Sequence, residues 1–117
     1  MSNTKIERKN FISPDEMLVF NKAKVEHVKI GGYTVSRLTL NPGWKWSTDS
    51  KPIAKTDSCQ FPHIGIILSG RIMLSMDDGT EIEYGPNDIA SIPSGHNAWT
   101  VGNEPVVFIE WEKTPTT

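Results

Sequence analysis

Residues 63–101, HIGIILSGRIMLSMDDGTEIEYGPNDIASIPSGHNAWTV, decide the fold. Short apolar segments alternate there with turn residues. HIGIIL (63–68) reads as a buried strand. In RIMLSM (71–76), Ile72, Leu74 and Met76 alternate with Arg71, Met73 and Ser75, which is the period of a strand with two unlike faces. Asp77-Asp78-Gly79 signals a hairpin of the type I′ kind, which favours Asp-Gly. TEIEY (80–84) returns and GPND (85–88) turns. IASI (89–92) is a short strand stopped by Pro93-Ser94-Gly95, and HNAWTV (96–101) follows. After the turn GNEP, VVFIEW (106–111) completes about six strands in about fifty residues. Parallel strands need long crossovers, so connections this tight demand antiparallel pairing.

Upstream the pattern is less regular. Ser13-Pro14-Asp15-Glu16 offers an N-cap serine, proline at the first helical position and a glutamate completing a capping box, which predicts a short helix. NKAKVEHVKI (21–30) loses the helical period, so that helix is brief. YTVSRLTL (33–40) reads as a strand after Gly31-Gly32. NPGW is a turn, and Trp44 and Trp46 share one face if the chain stays extended. The expected fold is all-β, an antiparallel barrel or jelly roll with a short N-terminal helix. Its parts are a polar segment over 1–10, one barrel domain over 11–113 and a frayed tail over 114–117.

Composition narrows the function classes. A chain of 117 residues with formal net charge −2 is one domain without the basic footprint of a nucleic-acid binder. Its apolar runs are far too short to span a membrane, and MSNTKIERKN lacks the apolar core of a signal peptide. A single cysteine cannot form an internal disulfide, which suits a reducing compartment. The expectation is a cytoplasmic protein with neither nucleic acid nor membrane as partner.

NPGWKW, HIGIILSG, the Asp77-Asp78-Gly79 hairpin and GPNDIASIPSGH together resemble a small single-domain cupin over roughly residues 43–103. The first cupin motif ends in a glycine, which matches Gly70. Counting back from it, the motif's glutamate position falls on His63 and its two histidine positions on Asp57 and Cys59. In the second motif, Pro93-Ser94-Gly95 matches P-x-G, and Asn87-Asp88 stands for the opening Gly-Asp. The motif's histidine position falls on Ala98, with His96 two residues earlier. The usual ligand set is therefore absent as written, and Asp57, Cys59, His63 and His96 are offered in its place. On an extended chain, residues 57, 59 and 63 point to one side, and His96 shares the parity of Ala98.

Cys59, His63 and His96 form a three-donor set with room for water or substrate, with Asp57 as a fourth ligand or an acceptor that orients a histidine. Zinc suits a Cys/His mixture, imidazole also suits iron, nickel or copper, and the divalent candidates are zinc, iron, nickel or manganese. Equally, a lone cysteine is often a small buried hydrophobe, and His63 can be a core histidine bonded to a carbonyl. Cys59 beside a histidine also has the makings of a nucleophile or redox-responsive thiol. Trp44, Trp46 and Phe61, with Tyr84 and Trp99 behind them, are candidates for pocket walls. Trp99 has the opposite parity to His96 and belongs on an outer layer or a dimer interface. His27 reads as a surface residue. Arg71 is a solvated cation or a carboxylate anchor, Asp77 and Asp78 are turn residues, and Glu81 and Glu83 share a solvent face. Ser94 is explained by the strand break.

The resemblance implies a metal-binding protein acting on a small organic molecule by dioxygenase, isomerase, decarboxylase or lyase chemistry, with a homodimer as the expected assembly. A non-catalytic binding or sensor protein and a redox-responsive protein acting through Cys59 remain as alternatives.

Overall fold

The computed structural model describes residues 5–54 and 56–115. Residues 1–4 of the polar segment and residues 116 and 117 of the tail lie outside the described residues. Among the described residues nine strands occur: β1 (Glu16–Phe20), β2 (Ala23–Ile30), β3 (Tyr33–Leu40), β4 (His63–Ser69), β5 (Arg71–Met76), β6 (Glu81–Tyr84), β7 (Ile89–Ile92), β8 (His96–Val101) and β9 (Val106–Lys113). They form a six-stranded sheet in the order β1-β2-β3-β9-β4-β7 and a three-stranded sheet in the order β6-β5-β8. Every pairing is antiparallel. No helix among the described residues is long and apolar enough to cross a membrane.

Alternation places the core. In β8, His96, Ala98 and Thr100 are buried while Asn97, Trp99 and Val101 are not. Ile67 and Val106 of the larger sheet are fully buried and meet Ile72, Leu74 and Ala98 of the smaller one in a single cluster. Each such aliphatic side chain stabilises the fold by about 1.5–3 kcal/mol. Trp44 and Trp46 complete the cluster from the connection between β3 and β4.

Three expectations are corrected. The first is the N-terminal helix: Glu16–Phe20 is strand β1, paired along its whole length with β2. The capping residues are used differently there. Asp15 accepts the Lys29 amide at 2.7 Å, and its own amide donates to the His27 carbonyl at 2.8 Å. A serine cap satisfies one helix donor, whereas the ladder satisfies the whole segment, and Leu18, Val19 and Phe20 favour a strand.

The second correction is the barrel, since the two sheets are not closed into one. The segment running past the open edge of β8 forms no ladder with it, only isolated bridges, Lys45 to Trp99 and Cys59 to His96, and side-chain bonds between Ser47 and Asn97. Between those bridges lie a π-helical turn (Trp46–Ser50) and the short helix α1 (Lys51–Ala54). Buried Asp49 holds that turn in place, accepting the Lys45 amide at 2.9 Å and the Asn21 side-chain amide at 2.5 Å. A strand cannot run continuously through a segment anchored in this way.

The third correction concerns turn type. The hairpin between β5 and β6 falls at Asp77-Asp78-Gly79 as expected, but only Gly79 has a positive φ. A type I′ turn needs two such residues. The Gly79 amide bonds to the Met76 carbonyl and the Met76 amide to the Thr80 carbonyl, which is a type I turn closed by a glycine bulge. Elsewhere, Asn87 takes φ 75° where the second cupin motif carries glycine, a conformation asparagine tolerates. Thr114 of the tail is tied to the fold, its amide to the Gly32 carbonyl and its hydroxyl to that of Thr34 at 2.9 Å.

Gly70 joins β4 to β5 with φ 78°, and a Cβ there would overlap the Pro105 carbonyl. Gly70→Ala therefore lowers the unfolding free energy by at least about 1–3 kcal/mol. Urea denaturation reads this as a lower midpoint at an unchanged slope.

Candidate metal centre

Cys59, His63 and His96 converge, and their donor atoms all lie within 4.8 Å of one another. His63 opens β4 and His96 opens β8, so the two histidines come from different sheets. Cys59 lies in the connection and is brought in by its backbone. Its amide donates to the His96 carbonyl at 2.7 Å, and the Gly95 amide donates to the Cys59 carbonyl at 2.7 Å. That bridge brings His96 beside Cys59 from two residues before the motif position. It sits about 7 Å further along the inward row of β8 than Ala98, level with Cys59.

Each histidine has one ring nitrogen already committed. His63 Nδ1 lies 2.6 Å from Glu110 Oε1 and His96 Nδ1 lies 2.8 Å from the Pro93 carbonyl. Oxygen acceptors of these kinds require Nδ1 to carry the proton, which leaves both Nε2 atoms to bond Cys59 or, once deprotonated, a metal ion. The histidine rings stand 5.3 Å apart, with Phe61 packed 5.2 Å from His63. Donors around a tetrahedral zinc lie roughly 3.3–3.6 Å apart, given bonds of about 2.0–2.3 Å. Only a small inward movement is needed, and the carboxylate behind His63 is the usual orienting partner of a metal-binding imidazole. The three side chains fit a metal ion and could hold one.

Asp57 stands apart from this group. The chain bends at residues 56–58 instead of extending, and the Asp57 carboxylate is fully exposed, 3.7 Å from Lys51 Nζ. Sequence reasoning missed Glu110, which is nine-tenths buried. The signal was its parity with Val106 and Phe108 in VVFIEW, which puts a carboxylate on the apolar face of β9. His27 is also corrected, since it is partly buried and faces the interior rather than the surface.

The cluster lines a cavity of about 360 Å³ whose walls are mainly apolar, within the size range that encloses small organic ligands. Trp44, Trp46 and Phe61 all line it. Trp99 lies on the outer side beneath Lys45, whose Nζ is 5.2 Å from the ring. Tyr84 borders a separate small recess. Arg71 is exposed and pairs with Glu83 at 3.4 Å.

Burial opposes charge on Cys59, yet hydrogen bonds to His63 and His96 lower its thiol to about 6. Burial also opposes the His63 imidazolium, but Cys59 and Glu110 raise it to about 9. Between pH 6.5 and 9 the folded chain has released the Cys59 proton and kept the His63 proton. The first makes stability rise with pH and the second makes it fall, so the two slopes offset each other in that window. In the metal-free protein, ultraviolet thiolate absorbance therefore appears with a midpoint near 6. His63→Asn moves that midpoint up toward an ordinary thiol.

No protein-family model and no curated protein matches the chain. Solved structures do resemble it. The polyketide cyclase RemF from Streptomyces resistomycificus superposes with a TM-score of 0.64 at 16% identity, over 95% of this chain and 83% of RemF. Ectoine synthase from P. lautus gives 0.67 at 6% identity, over 96% and 80%. The cupin domain of Schizosaccharomyces pombe Cnp3 gives 0.58 at 12% identity, over 86% and 69%. The chain is a small domain with the cupin fold. It carries a Cys–His–His group in the interior.

Proposed function

We propose that this chain is a metallo-cupin enzyme. In this reading Cys59, His63 and His96 hold one divalent metal ion, and the adjoining cavity holds a small, largely apolar organic substrate. One observation carries the reading: three metal-type donors meet within 4.8 Å at the wall of a cavity large enough for such a molecule. The thiolate–imidazole set suits zinc best among the candidate metals. A bound zinc with an open position supplies Lewis-acid or hydroxide chemistry. Glu110 and the Pro93 carbonyl hold the two imidazoles in orientation. Trp44, Trp46 and Phe61 exclude water and offer flat faces to a ring. The cyclase and the synthase among the structural neighbours support small-molecule chemistry on this fold.

Elemental analysis after zinc loading reads one metal per chain in the wild type. Cys59→Ala, His63→Ala and His96→Ala each lose it, while Asp57→Ala keeps it. Glu110→Gln weakens zinc roughly 10–100-fold, as removal of an orienting partner does. Full retention in the three ligand variants would sink the assignment.

The lowered Cys59 thiol supports a second reading, a redox-responsive thiolate. That reading requires Cys59 to alkylate faster than free cysteine at neutral pH. Protection of Cys59 by added zinc instead supports the metal site.

A further inference from the structure

Besides Ser50, whose hydroxyl accepts the Trp44 indole N–H at 3.3 Å, the cavity has polar groups in two places. One is the Cys59, His63, His96 and Glu110 cluster. The other is His27, whose Nδ1 lies 2.6 Å from the Ser36 hydroxyl. Strand register shows how the two are related. His27 pairs with Ser36 across β2 and β3, Ser36 pairs with Glu110 across β3 and β9, and Glu110 pairs with Gly65 of β4. These positions form one cross-strand row on the inner face of the larger sheet. His27 lies three strand spacings, roughly 14 Å along the sheet, from β4.

Ser36 is buried at 4% exposure, so its hydroxyl must be satisfied inside the protein, and His27 Nδ1 does so. That leaves Nε2. Glu16 Oε1 faces it at ion-pair range, 3.9 Å, which is beyond hydrogen-bond distance, and Glu16 is itself largely exposed. A satisfied core histidine would use both nitrogens. His27 has one nitrogen fixed by the sheet and the other without a hydrogen bond, in a cavity whose remaining walls are mainly aliphatic and aromatic side chains.

We infer that His27, held by Ser36, is a second anchor for the ligand. It hydrogen-bonds an oxygen at the end remote from Cys59, His63 and His96. The ligand is then an elongated, mainly apolar compound carrying a hydroxyl or carbonyl oxygen at that end. This rests on the cavity being a ligand site, as proposed above.

A matched pair of probes tests it: 4-propylphenol and propylbenzene, titrated calorimetrically into zinc-loaded protein. A phenolic hydroxyl donates and accepts, so it suits either tautomer of His27. The wild type binds the phenol about tenfold more tightly, the worth of one hydrogen bond. His27→Phe brings the ratio close to one and keeps full zinc stoichiometry, and His27→Gln retains part of the preference. A readout on the wild type needs no substitution: the His27 ring-nitrogen resonances show the large shift of a new hydrogen bond with 4-propylphenol and only a small ring-current shift with propylbenzene. An unchanged preference in His27→Phe, or equal His27 shifts with both probes, overturns the anchor and leaves the cavity reading standing. If neither probe binds, the cavity reading itself fails and the anchor falls with it.

Discussion

The short backbone bridge between Cys59 and His96 is the constraint on which the interior depends. Two hydrogen bonds of 2.7 Å tie the connection before β4 to the first residues of β8. β4 lies in the larger sheet and β8 in the smaller one, so the bridge sets how closely the two sheets approach at this end. Further along β8, the Thr100 amide to the Trp44 carbonyl at 3.0 Å and the Thr100 hydroxyl to the Leu40 carbonyl at 3.1 Å hold the same spacing. Here the same residues that make the bridge also point their side chains inward. The approach of the two sheets at this end and the assembly of the donor group are one structural event.

Polar groups in an apolar cavity are costly unless each is bonded. Among the described residues no buried side-chain nitrogen or oxygen lacks a partner. Glu110 is committed to His63, the Pro93 carbonyl to His96, and Ser36 to His27. Partners of this kind do two things. They remove the penalty of burial, and they fix which ring nitrogen remains available. A site whose tautomers and ring orientations are set before any ligand arrives loses less freedom on binding. The thiolate of Cys59 and the imidazolium of His63 stabilise each other for the same reason, since each is poorly solvated on its own.

Much of the strand order was readable because it depends on neighbours in sequence. RIMLSM, HNAWTV and YTVSRLTL alternate, and each is a strand where its pattern places it. The Asp77-Asp78-Gly79 turn was readable for the same reason, although its bulge was not. The N-terminal segment misled because a capping box is a local signal, and a ladder to β2 outcompeted it. Trp46–Ser50 misled in the other direction. Its π-helical turn depends on a buried contact between Asp49 and Asn21, which no local pattern announces.

Within the site, Cys59 and His63 were readable by their spacing from Gly70, and His96 by its distance from Pro93-Ser94-Gly95. Glu110 and His27 were not, because their importance comes from register. β9 inserts between β3 and β4, and only that long-range pairing sets Glu110 beside His63 and opposite Ser36. The sequence by itself determined an antiparallel all-β chain and offered four metal-type donors, Asp57, Cys59, His63 and His96, since alternation, turn chemistry and motif spacing act over a few residues. The tertiary structure alone decided that two sheets stay open, that Asp57 faces solvent, and that a row of polar side chains crosses the interior. Strand partners far apart in the chain choose one another by burying a common face, and that choice cannot be read from either partner alone.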